Sequence, residues 1–73
     1  VTREEAQKLG WTEKTVTSWQ VINQERWCAK VYWHIEAWFV DIYRPDAMYS
    51  ESRGFDSEPE ALGWASKRLG LTP

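Results

Sequence analysis

A single cysteine, a single histidine, no long apolar run and almost no net charge set the first limits on this chain of 73 residues. Cys28 alone cannot close an intramolecular disulfide, and small secreted scaffolds carry several pairs, so a reduced, cytoplasmic setting is expected. No stretch approaches 18 consecutive apolar residues, and the N-terminus has neither the basic nor the apolar region of a signal peptide; neither membrane insertion nor export is expected. Nine Lys and Arg against eleven Asp and Glu give a formal charge of -2, which removes the non-specific phosphate attraction on which most nucleic-acid-binding domains rely. There is no tag, linker or low-complexity segment, so a complete, free-standing chain is expected. Val1 in place of Met fits either an alternative start codon or a trimmed product.

The same scarcity bears on chemistry. A structural zinc site needs four ligands at recognisable spacing, and one Cys with one His cannot supply them; no metal and no cofactor are expected. Cys28 and His34, six positions apart on a strand, lie about 20 Å from each other, too far for a nucleophile and its base. There is no glycine-rich phosphate loop. Of the carboxylates Glu51, Asp56, Glu58 and Glu60, the helix start that follows accounts for Glu58 and Glu60. An enzyme is therefore the least expected class.

What the chain does have is aromatic mass. Six Trp, three Tyr and two Phe each bury roughly 150–250 Å², an efficient way to build one core in a chain too short for two. A single domain over 1–73 is expected. Thr2 and Glu5 form a capping box, Glu4 and Glu5 sit at the positive end, and Gly10 suits the left-handed stop, so a short helix is expected from about Arg3 to Leu9. Residues 12–24 fit two patterns. Val16, Trp19 and Ile22 follow helical spacing, whereas Trp19, Val21 and Asn23 would line one face of a strand rich in β-branched residues.

From Trp27 the period becomes two. Trp27, Ala29, Val31 and Trp33 share one face, and Cys28, Lys30, Tyr32 and His34 the other. After a break at 34–37, a second strand over Trp38–Tyr43 ends in the turn Arg44-Pro45-Asp46-Ala47, and a third runs over Met48–Arg53. The C-terminal helix is the clearest element. Ser57-Glu58-Pro59-Glu60 caps it, Ala61, Leu62, Ala65 and Leu69 form its apolar stripe, and Gly70, Leu71 and Pro73 end it. The expected fold is thus α+β: a three-stranded antiparallel sheet with an N-terminal helix, or helical hairpin, and a C-terminal helix packed on it.

Three resemblances add to this reading. The run Thr2, Glu5, Ala6, Leu9, Gly10, Trp11, Thr12, Thr15, Val16, Trp19 resembles the helix-turn-helix of excisionase-type DNA-binding proteins. That resemblance favours helix over residues 13–23 and implies Lys14, Thr15 and Ser18 as groove-facing residues, although the segment has one Lys and no Arg for phosphate anchoring. Residues 38–69, with the Pro-Asp turn, Tyr49 and the pattern Gly54-Phe55-x-Ser57-x-x-Glu60-Ala61-x-x-Trp64, resemble the arm-type binding domains of tyrosine recombinases, which read DNA with an exposed sheet face. There Gly54 would permit a tight turn. In size, composition and setting, finally, the chain resembles the small proteins with which phages subvert host machines such as RNA polymerase.

If Trp27, Ala29, Val31, Trp33, Trp38, Val40 and Ile42 face the helices, the other face presents Lys30, Tyr32, His34, Phe39, Asp41, Tyr43, Tyr49, Glu51 and Arg53. Among these, Lys30, Tyr32, Phe39, Tyr43, Tyr49 and Arg53 are the expected partner contacts, suited to anchoring a protein or to stacking single-stranded bases. Helix one or the uncertain segment could instead cover this face as a second small core. The leading expectation is a non-enzymatic, phage-type transcription regulator that binds a host protein complex, RNA polymerase above all. The alternative is a DNA-binding module.

Overall fold

Thr2 and Glu5 form the reciprocal cap that starts α1, Arg3–Lys8: Thr2 Oγ1 accepts the Glu5 N–H at 3.1 Å and the Glu5 carboxylate accepts the Thr2 N–H at 2.9 Å. These bonds, that from the Thr2 backbone foremost, hold the Glu5 carboxyl below its usual range. Gly10 then turns the chain with φ 103°, a conformation open to glycine without strain. The computed structural model describes residues 1–46 and 49–71, with the backbone alone at Tyr49. Ala47, Met48 and Pro73, which the sequence assigns to a turn, a strand start and a helix stop, lie outside the described residues.

Among the described residues five strands follow α1: β1 Thr12–Thr15, β2 Ser18–Ile22, β3 Cys28–His34, β4 Ala37–Arg44 and β5 Tyr49–Phe55; α2, Glu58–Arg68, comes after them. All neighbours are antiparallel in the order β1-β2-β3-β4-β5, a simple meander. This corrects the expected three-stranded sheet. The extra pair is the segment for which a helix was expected. As a helix, residues 12–24 would bury Val16, Trp19 and Ile22 together; in the sheet Trp19 and Val21 are buried while Val16 and Ile22 stay 81% and 63% exposed. Period two wins because Trp19 and Val21 pair with Val31 and Ala29 of β3 and extend its apolar face. The helix-turn-helix arrangement is therefore absent here, since its second helix is a β-hairpin.

Both helices lie on one face of the sheet. Ala61, Leu62 and Ala65 of α2 and Ala6 of α1 join Trp11, Trp19, Val21, Ala29, Val31, Val40 and Ile42 in a single buried cluster, with Leu9, Trp27, Trp38, Phe55, Trp64 and Leu71 packed around it. Polar groups inside it are paired: Trp11 Nε1 donates to Ser66 Oγ at 2.9 Å, and Trp19 Nε1 to the Glu58 carboxylate at 3.1 Å. Arg3 bridges Glu13 and Glu58 and lies 5.0 Å from the Trp19 ring centroid, locking α1 to the start of α2. Among the described residues no helix is long and apolar enough to cross a membrane.

Candidate binding surface

Because β3 and β4 pair without a register break, their outward residues form one continuous row. Lys30 faces Asp41, Tyr32 faces Phe39 and Cys28 faces Tyr43 across the two strands. The Tyr32 and Phe39 rings stack with centroids 6.0 Å apart and planes inclined by 27°. His34 meets Phe39 edge-on at 6.2 Å, and Lys30 Nζ sits 5.7 Å from the Tyr43 ring. Tyr32, Phe39 and Tyr43 are half-buried, while Lys30 and His34 are exposed.

A polar centre fixes this row. Asp41 accepts the Tyr32 hydroxyl at 3.1 Å and the Ser52 hydroxyl at 2.6 Å. Burial first, and then the neighbouring Asp41, raise the Tyr32 phenol above its ordinary value near 10, so it stays a donor at neutral pH. Gly54 lies opposite Phe39 in the ladder, and a Cβ there would come within 3.3 Å of the Phe39 ring. Gly54 is thus a seat for an aromatic inside β5, not the tight turn expected of it.

The structure brings Lys30, Tyr32, Phe39 and Tyr43 together on the face away from the helices. Arg53 is not with them. It faces Val40 in the ladder, and its guanidinium stacks 5.3 Å from Phe55 and 5.4 Å from Trp64, on the helix side. Glu51 is on that side too, where Arg68 grips it through bonds of 2.8–3.1 Å. The register of β5 accounts for both corrections: Ser50, Ser52 and Gly54 are the residues turned to the open face. Tyr49 opens β5 opposite Arg44, and its side chain lies outside the described part. Lys14, Thr15 and Ser18 belong to the β1–β2 hairpin, where Thr15 Oγ1 and Ser18 Oγ are 2.8 Å apart and serve the turn.

Sequence reasoning missed one further apolar patch. The Trp33 N–H donates to the Thr17 carbonyl at 3.0 Å, which sets the two hairpin tips side by side. There Val16 is 81%, Ile35 75% and Trp33 45% exposed, at the end of the sheet where His34 flanks the aromatic row. Ile35 has φ 55°, a strained conformation for a β-branched residue. An Ile-Glu pair at a two-residue turn, where Asn-Gly is favoured, was the available signal. Comparison with family models, curated proteins and solved structures found no match for this chain.

Proposed function

We propose that this domain is a non-enzymatic binding module of the phage regulator type, which docks a host protein complex on its open sheet face in the cytoplasm and thereby alters transcription. The observation that carries the reading is the pre-arranged row of Tyr32, Phe39 and Tyr43 on a face that neither helix covers. Rigid aromatics that lose little freedom on binding are the usual anchors of protein interfaces. The face is also electrically mixed, Lys30 opposite Asp41, which suits a protein surface better than a phosphate backbone. The hairpin tips that carry the exposed Val16 and Ile35 border this face at its His34 end.

RNA polymerase is the partner that the phage-regulator resemblance ranks first. The test is binding of the purified chain to purified bacterial RNA polymerase, beside Phe39→Ala. Truncating a central aromatic anchor is expected to weaken binding at least about tenfold. Equal binding by both proteins, or none by either, rejects the reading. A gel shift on duplex DNA that disappears steeply with salt would replace it with DNA recognition by the sheet face.

A further inference from the structure

The two edges of the sheet are built differently. β1 is four residues long, its register with β2 shifts between Glu13 and Thr15, and Lys14 falls within that irregularity. These are devices that blunt an edge against further pairing. β5 has none of them. It runs seven residues, Tyr49–Phe55, in unbroken register with β4, contains neither lysine nor proline, and is the last strand of the sheet.

Its free hydrogen-bonding groups follow from the hairpin. His34 and Ala37 flank the two-residue Ile35–Glu36 turn and so form a hydrogen-bonded pair. The odd-numbered residues of β3 then bond towards β2, as the bond from the Trp33 N–H to the Thr17 carbonyl confirms. Carried across the ladder, this alternation makes Tyr49, Glu51, Arg53 and Phe55 bond to β4. It leaves the N–H and C=O groups of Ser50, Ser52 and Gly54 directed out from the edge.

The sequence of β5 is complementary to itself when a second copy is laid antiparallel. With Ser52 opposite Ser52, Ser50 faces Gly54 and Glu51 faces Arg53, twice by symmetry. The outward groups of Ser50, Ser52 and Gly54 then supply about six backbone hydrogen bonds, two per facing pair. The Glu51 and Arg53 positions fall in non-hydrogen-bonded pairs, where facing side chains come closest. Sliding the copies by one pair in either direction sets Glu51 against Glu51 or Arg53 against Arg53, and like charges directly opposite are unfavourable. Charge therefore selects a single register.

We infer that β5 is a dimerisation edge, on which a second copy of this chain adds antiparallel about Ser52 to join two five-stranded sheets into one. The contact is small, so it is a reversible dimer with a dissociation constant on the order of 10 µM. The two-fold places both aromatic rows on the same side of the joined sheet. A bivalent partner then gains avidity without any new contact.

Sedimentation velocity across concentrations up to about 1 mM tests this. The mass is expected to rise from that of the 8.6 kDa chain towards twice that value. Ser52→Pro removes the central outward N–H at an edge position that tolerates proline and should weaken the dimer at least about tenfold. E51R and R53E, each confirmed as folded by circular dichroism, should be monomeric alone and should form a heterodimer when mixed, because opposite charges then face each other at both pairs. A wild-type chain that stays monomeric throughout, a dimer indifferent to Ser52→Pro, or folded charge variants that do not associate on mixing would each overturn the inference.

Discussion

The two faces of the sheet use the same kinds of side chain for different ends. On the helix face Trp19, Val31, Val40 and Leu62 are almost fully buried. Arginines complete the wall there by lying on rings, Arg3 on Trp19 and both Arg53 and Arg68 on Trp64. On the open face Tyr32 and Phe39 stack on each other, Lys30 lies by Tyr43, and all three rings keep part of their surface in water. Order on that face comes from Asp41, which holds Tyr32 and Ser52. An aromatic on a period-two strand thus does not declare its role by type; the helices decide which half of the alternation becomes core.

The largest effect expected to break this contrast is on the helix side. Trp19→Ala removes the largest fully buried side chain and is expected to cost about 3–5 kcal/mol. In a domain this small that is enough to abolish the cooperative transition in a denaturant titration. Phe39→Ala should cost only about 1 kcal/mol in the same titration, while weakening partner binding; a stability loss matching that of Trp19→Ala would erase the distinction between the faces. The smallest effect is with pH. The Tyr32 phenol is raised in the folded chain, so its contribution to stability is complete below the unfolded value near 10 and is lost as pH climbs through the folded value. Ultraviolet titration should find a tyrosine ionising later than the free side chain, and Asp41→Asn should bring it back towards the ordinary value.

Much of this arrangement was legible in the residues. Both helix starts are where Thr2, Glu5, Ser57 and Glu60 put them, because capping is a local chemistry written within four positions. The β3–β4 alternation was equally plain, and with it the placing of Lys30, Tyr32, Phe39 and Tyr43 on one face. The β1–β2 hairpin was not, since Val16, Trp19 and Ile22 satisfy a helical stripe as well as Trp19 and Val21 satisfy a strand. The decision rests with β3, which offers Val31 and Ala29 to Trp19 and Val21. Arg53 lies on the helix side, opposite to what the alternation of β4 suggests, for a related reason. Strand register passes through the turn after Arg44, and one residue of difference there inverts every side chain that follows.

The ties between the N-terminal third of the chain and α2 with its C-cap have a consequence for how the protein is made. Arg3 with Glu58 and Trp11 with Ser66 each join residues 55 apart, and Asn23 reaches the Leu69 carbonyl across 46. The meander between them needs only neighbouring strands to close. On a ribosome that releases the chain from its N-terminus, α1 emerges first yet is among the last elements to find its place, waiting for α2 to clear the exit tunnel. Until then the growing sheet carries Trp19, Val31 and Val40 uncovered, so the speed with which α2 docks governs how long the nascent domain is prone to aggregate.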